Sequence, residues 1–199
     1  MLRVGVLALQ GDVREHLTAL HASGADARPV RQRDELDGVD ALVLPGGEST
    51  TMSRLVQVFG LEHPLRERLA GGMPTLATCA GLILLSRKVL DGRPDQVTLD
   101  ALDIVVRRNA YGRQVDSFEA DLDVEPLGIA PFRGVFIRAP RIEQTGDSVR
   151  VIATLDGNPV AIMSGPHVGL VFHPEMTGDV RLHQLFLRHA QEALESSAA

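Results

Sequence analysis

The chain has 199 residues, 44% of them hydrophobic and 23% charged, at a mean hydropathy of +0.05; at roughly 150 residues per domain this is one domain with enough apolar material for a core, which excludes disorder and coiled coil. Twenty Lys and Arg against 26 Asp and Glu give a net charge of −6 and a pI of about 5.6, so no basic footprint for nucleic acid is expected. No run of about 18 apolar residues is present to span a membrane, and the apolar opening breaks at Gly11-Asp12, too early for a secretory signal, so the chain reads as cytoplasmic.

Residues 1–9 form a nearly continuous apolar run, after which Val13, Leu17, Leu20 and Gly24 recur at helical spacing. The pattern predicts strand, tight turn and helix, with Asp12 as the N-cap. Short strands follow at residues 27–30 and 40–44, the second bounded by Pro45-Gly46-Gly47. Ser49 is the expected cap of a helix carrying Met52, Leu55, Val56 and Phe59, and another helix near residues 63–69 ends at Gly71-Gly72. Residues 73–78 form an apolar strand running into Cys79 and a helical segment at 80–85. Apolar strands alternating with helices predict a parallel sheet covered on both faces.

Beyond a loop rich in Gly, Pro and charge at 87–98, six short strands are predicted near residues 103–106, 117–124, 134–137, 149–153, 159–163 and 168–172. With no long helix between them, they read as hairpins added to the sheet edge or folded over its carboxyl ends, where α/β sheets bind ligands. A final helix at about 180–194 places Leu182, Leu185, Phe186 and His189 on one face. The expected fold class is α/β: a three-layer, mostly parallel central sheet flanked by helices, with extra β-strands in the C-terminal half. It is one domain over residues 1–195, with a frayed tail at 196–199.

Cys79 is the only cysteine, so neither an intrachain disulfide nor a multi-cysteine metal site is available, and no metal or cofactor is expected. In Pro74-Thr75-Leu76-Ala77-Thr78-Cys79-Ala80-Gly81-Leu82 a reactive side chain stands between small neighbours where a strand runs into a helix. This is the pattern of a nucleophile elbow. Backbone N–H groups at the helix start favour a thiolate, and the N–H of Ala80 is aimed at a developing oxyanion. A second donor is expected from Pro45-Gly46-Gly47-Glu48 on a neighbouring loop. On the residue alone, a small buried core thiol is an equal reading of Cys79.

A thiolate nucleophile needs a base, and seven histidines are present: His16, His21, His63, His167, His173, His183 and His189. His173 directly follows the strand at 168–172, so it leaves the sheet at the same edge as Cys79. Glu175, beyond the stiff Pro174, is placed to orient its imidazole. The other six lie on predicted helices or loops and are expected to be solvated.

Six segments occur in order: Gly5-Val6-Leu7-Ala8-Leu9-Gln10-Gly11, Pro45-Gly46-Gly47-Glu48-Ser49-Thr50-Thr51, Thr78-Cys79-Ala80-Gly81, Arg108-Asn109-Ala110-Tyr111-Gly112-Arg113-Gln114, Phe136-Ile137-Arg138-Ala139-Pro140 and Phe172-His173-Pro174-Glu175. Together they resemble the glutaminase subunits of pyridoxal 5′-phosphate synthases, a branch of the class I, triad-type glutamine amidotransferases. The resemblance spans essentially the whole chain. It implies hydrolysis of L-glutamine to glutamate and ammonia through a Cys79-His173-Glu175 triad and a glutamyl thioester. Ammonia then passes to a (β/α)-barrel synthase subunit within a large hetero-oligomer. The resemblance also implies an oxyanion hole at Gly47 and Ala80, and glutamine binding by Gly47, Glu48, Ser49, Arg108, Ile137 and Arg138. Arg108 or Arg138 would meet the substrate carboxylate and Glu48 its ammonium.

One departure is Ala77, where the superfamily elbow has glycine. The alternative readings are a triad glutaminase serving a different synthase, and a non-glutaminase Cys hydrolase or binding module of related fold. Gln10-Gly11 is expected beside the oxyanion loop and the partner surface.

Overall fold

The computed structural model describes residues 1–108, 117–128 and 130–197. The expected motif at 109–114 and the last two residues of the tail lie outside them. The parallel part of the central sheet is β1 (Arg3–Leu7), β2 (Asp26–Val30), β3 (Ala41–Leu44), β4 (Thr75–Thr78) and β12 (His167–Leu170). Every residue of β3, β4 and β12 is buried, as strands covered on both faces require. The hairpin β10 (Arg150–Leu155) and β11 (Asn158–Ser164) extends this sheet in antiparallel sense. The order across the seven strands is β10-β11-β12-β4-β3-β1-β2.

The covering helices are α1 (Val13–Ala22), α2 (Arg33–Asp37), α3 (Ser49–Val58), α4 (Glu62–Ala70), α5 (Ala80–Leu85) and α6 (Arg181–Ser197). Helix α1 packs against α6, α3 against α5 and α2 against α4. The chain leaves β1 toward β2 on one side and β3 toward β4 on the other, so the strand order reverses between β1 and β3. The carboxyl ends of strands flanking such a switch open a crevice, and here the loops after β1, β3 and β4 and the segment after β12 meet over it.

Two smaller sheets complete the C-terminal half: β5 (Ser86–Val89), β6 (Leu102–Arg107) and β9 (Arg141–Thr145), and the hairpin β7 (Phe118–Leu122) and β8 (Phe132–Phe136). The hairpin joins the core through Phe136, whose ring lies 5.5 Å from that of Phe172 and stacks at 4.6 Å on Phe118.

Several expectations are corrected. The 87–98 loop begins with β5, which starts at Ser86 and whose Arg87 and Lys88 are exposed, so a charged edge strand reads as a loop. Strand β9 was not predicted, because in Arg-Ile-Glu-Gln-Thr only Ile142 is buried. Helix α2 was missed for the same reason, burying only Leu36. Helix α6 continues to Ser197, into the expected tail. Helix α3 is capped by the Glu48 carboxylate, which accepts the N–H groups of Thr50 and Thr51, and not by Ser49. Asp12 precedes α1 but makes no side-chain cap bond.

Ala77 is accommodated in full burial, in register with Leu44 and Gly169. The close approach in the elbow falls at Gly81, where a Cβ would overlap the Leu44 carbonyl of β3. Replacing Gly81 with Ala is expected to cost about 1–3 kcal/mol, read as a lowered urea midpoint at unchanged slope. An unchanged midpoint would mean that α5 and β3 separate freely.

Candidate active site

The turn from β4 into α5 places Cys79 at φ 46° and ψ −106°, a left-handed conformation rare for a non-glycine residue. Small neighbours Thr78, Ala80 and Gly81 leave room for it, and the Cys79 N–H donates to the Leu170 carbonyl of β12 at 2.9 Å. Its Sγ lies 3.9 Å from the Ile137 carbonyl. Strain held this firmly is characteristic of a residue whose direction matters.

His173 lies three residues beyond β12, and its N–H donates to the Val135 carbonyl of β8 at 2.8 Å. A 3-10 turn at Pro174–Met176 brings Glu175 back, so that Oε1 is 2.8 Å from His173 Nδ1. Nδ1 therefore carries the proton and donates it, while the buried Nε2 makes no hydrogen bond and is the atom free for proton exchange. Burial opposes the charged ring, but polar contacts with Asp12, Cys79 and Glu175, together with the Cys79 charge, push the His173 pKa up to about 12. Burial also raises the Glu175 pKa, against the lowering effect of His173.

Two partners of this pair were not foreseen. Asp12 Oδ2 lies 3.2 Å from His173 Nδ1. His16, fully buried, has Nε2 3.3 Å from Glu175 Oε2 and 3.2 Å from Thr78 Oγ1, and Nδ1 3.0 Å from His183 Nε2. His16, His167 and His183 are thus buried and not solvated as expected, because each sits on the inward side of its element. The signal for His16 and His183 was their phase: each falls beside the apolar residues of its helix. Asp12 carried no signal beyond its position at a helix start. Among the described residues, Asp12, His173 and Glu175 are also a set whose donor atoms, within 4.8 Å of one another, have the chemistry to ligate a metal. The imidazole N–H there is donated to Glu175 Oε1.

A cavity of about 60 Å³ opens beside Cys79, lined by Gly47, Glu48, Ser49, Ala80, Ile83, Arg108, Ile137 and Arg138. All the residues expected to bind glutamine or its oxyanion are among them. Ile83 is an addition, and it followed from the α5 periodicity one turn after Cys79. Arg138 is also left-handed, at φ 45°. Desolvation works against ionised Glu48, but hydrogen bonds from Thr50 and Thr51 hold its pKa at about 2, and Arg108 Nη2 lies 3.6 Å from its Oε1. The loop after β3 is gripped by Gln10, whose Oε1 accepts the Glu48 N–H at 2.8 Å, and a Cβ on Gly47 would strike the Gln10 amide. Gln10-Gly11 thus lies beside this loop.

The buried imidazoles have a consequence for stability. Burial, with the charges of His183 and His173, lowers His16 well below its ordinary value. Burial takes His183 to about 4, and burial with His189 takes His167 to about 4. Groups with folded pKa values below the unfolded 6.5 stabilise the fold above pH 6.5 and lose that contribution as pH falls toward 4. His173 runs the other way, with its contribution lost only as pH rises toward 12. The Tm is therefore expected to fall between pH 6.5 and 4, and less steeply in His183→Leu; equal slopes in thermal melts would contradict neutral burial of His183.

The model of the SNO glutamine amidotransferase family matches residues 6–192. Curated relatives named pyridoxal 5′-phosphate synthase subunit PdxT include one from Parafrankia sp. (strain EAN1pec), 55% identical over 192 residues that cover 96% of this chain and 95% of that one. Another, from Mycobacteroides abscessus, is 59% identical over 184 residues, covering 92% and 95%. A solved structure described as a crystal structure of glutamine amidotransferase is 48% identical with a TM-score of 0.88, covering 94% of this chain and 98% of that one. A Thermotoga maritima structure described as PurLQS is 18% identical at a TM-score of 0.69, covers 100% of both chains and shares the fold alone. No described helix is long and apolar enough to cross a membrane. The chain belongs to the SNO glutamine amidotransferase family.

Proposed function

We propose that Cys79, His173 and Glu175 are the triad with which this glutamine amidotransferase subunit hydrolyses L-glutamine and supplies ammonia to a pyridoxal 5′-phosphate synthase. The observation that carries the reading is one cavity that gathers a strained thiol, two arginines and a carboxylate next to a His–Glu pair with an open Nε2. A zwitterion with a reactive amide fits that set: Arg108 and Arg138 offer cations for its carboxylate, and ionised Glu48 an anion for its ammonium.

The Cys79 thiolate attacks the side-chain carbonyl carbon, and the carbonyl electron pair moves onto oxygen, where the N–H groups of Gly47 and Ala80 stabilise it. His173 Nε2 gives its proton to the departing nitrogen, ammonia leaves, and a glutamyl thioester remains. Nε2 then takes a proton from water as the water oxygen attacks the thioester. Collapse releases glutamate and restores the thiolate with His173 protonated. Glu175, without solvent contact at its side chain, holds the imidazole through Nδ1 in both half-reactions.

Ammonia is consumed by a (β/α)-barrel synthase subunit with which the chain assembles in a large hetero-oligomer. The reading places the chain in the cytoplasm, where a lone nucleophilic cysteine stays reduced. The grip of Gln10 on the loop after β3, and the narrowness of the cavity, support an oxyanion loop that reaches its working orientation when the synthase docks.

Cys79→Ala is expected to abolish glutamate production from L-glutamine, by at least a thousandfold, with an unchanged melting profile; an active variant would overturn the triad. Glutamate production is also expected to rise sharply when purified synthase is added. Equal turnover with and without it would remove the docking-dependent loop.

A further inference from the structure

We propose that Asp12 is a positioning residue of the site: a second carboxylate that faces the Nδ1 side of His173 beside Glu175 and links the imidazole to the loop after β3. The inference rests on the reading of His173 as the acid and base of the glutaminase. Nδ1 has a single N–H, and two carboxylate oxygens face it at 2.8 Å and 3.2 Å. The proton is donated to Glu175 Oε1, and Asp12 Oδ2 stands beside the same N–H as a second negative charge. The two partners are not equivalent. Glu175 is closed off from solvent, with His16 Nε2 3.3 Å from its other oxygen, whereas the Asp12 side chain is 25% exposed. Glu175 fixes the ring, and Asp12 supplies a charge that retains part of its hydration.

The position of Asp12 is explained by this role and not by helix capping. Its backbone departs from cap geometry, at φ −83° and ψ 48°, and its carboxylate accepts no N–H of α1. Its own N–H donates to the Gly46 carbonyl at 3.3 Å, and its carbonyl accepts the His16 N–H at 3.2 Å. A Cβ on Gly46 would come within 3.0 Å of Asp12 Oδ2 and would overlap the His173 ring. Asp12, His173 and the oxyanion loop are therefore mutually in contact, and a shift of that loop moves the second carboxylate relative to Nδ1.

The charged and titratable groups facing His173 are Asp12 from the β1–α1 loop, Glu175 from its own turn, Cys79 from the elbow and His16 from α1. Burial and the Asp12 charge push the Glu175 pKa up and His173 pulls it down, so the imidazolium faces two carboxylates of unlike surroundings. A second carboxylate keeps the ring protonated when it must deliver a proton to the leaving nitrogen. Removing that carboxylate lowers the basicity of His173.

The test uses Asp12→Asn, nearly isosteric, with Asp12→Glu as the charge-preserving control, Glu175→Ala, and the Asp12→Asn/Glu175→Ala double variant. The alkaline limb of kcat/KM, measured with the synthase present, is expected to move about 1 pH unit lower in Asp12→Asn and to return toward wild type in Asp12→Glu. Histidine ¹⁵N spectra of the chain alone, with His173 assigned from His173→Asn, are expected to show a larger neutral fraction at pH 11 in Asp12→Asn. Glu175→Ala should keep residual glutaminase activity that the double variant loses by about tenfold. Superposable pH profiles and spectra for wild type and Asp12→Asn, with the double variant equal to Glu175→Ala, would overturn the role. Absence of glutaminase activity in the wild-type complex would instead overturn the underlying reading, while the spectra still report who holds the proton.

Discussion

One hydrogen bond, from the Cys79 N–H to the Leu170 carbonyl, sets the frame on which the site is built. It prolongs the parallel ladder between β4 and β12 by one step, past the Thr78–Leu170 pair. A parallel register delivers both strand ends to the same edge, and this bond fixes their relative height to within a fraction of an ångström. Cys79 turns away at once into α5, and the chain after β12 runs three residues further before the imidazole. Sulfur and ring are thus brought together by sheet geometry, with no long side chain needed to span the gap. Slippage of either strand by one residue would turn its alternating side chains to the opposite face.

Around that frame the loops approach at backbone distance. Gly11 packs on the Gly46 carbonyl, Gly46 on the imidazole and Gly47 on the Gln10 amide, so side chains are excluded by what already occupies the space. Left-handed Cys79 and Arg138 each cost about 1–3 kcal/mol in backbone energy. The surrounding core sustains this: the strands beneath are buried throughout, and Phe132, Phe136 and Phe172 fill the space between hairpin and sheet. Behind Glu175 the packing turns polar, with His16, His183 and Thr78 joined in a dry chain of hydrogen bonds. Such a network fixes the ring of His16 3.3 Å from the Glu175 carboxylate as long as its imidazoles stay neutral.

What could be read beforehand followed from strong local signals. Apolar strands buried on both faces announce themselves, and so do a cysteine between small residues after one strand and His-Pro-Glu after another. The residues of the cavity were named through resemblance, since Arg108 and Arg138 look like ordinary surface charge in isolation. The rest was hidden for physical reasons. Strands β5 and β9 and helix α2 bury too little apolar area for any period to show. Asp12 sits where an N-cap is ordinarily found, so a local rule explained it before tertiary contact did. The choice between Ser49 and Glu48 as cap turned on one residue of register, which pattern does not resolve. His16 and His183 meet across 167 positions of sequence, a pairing no local reading contains.

The division of the molecule into a main sheet and a separate β7–β8 hairpin means that two parts of the fold supply the site. The thiol, the imidazole and its carboxylates all hang from the main sheet, whereas Ile137 and Arg138 follow directly from β8. The hairpin touches the reactive side through two backbone carbonyls, Val135 to the His173 N–H and Ile137 to the Cys79 sulfur, and through the rings of Phe132 and Phe136 on Phe172. Exposed hairpin residues such as Glu119, Asp121 and Arg133 can therefore vary without disturbing those contacts, whereas Phe132 and Phe136 cannot.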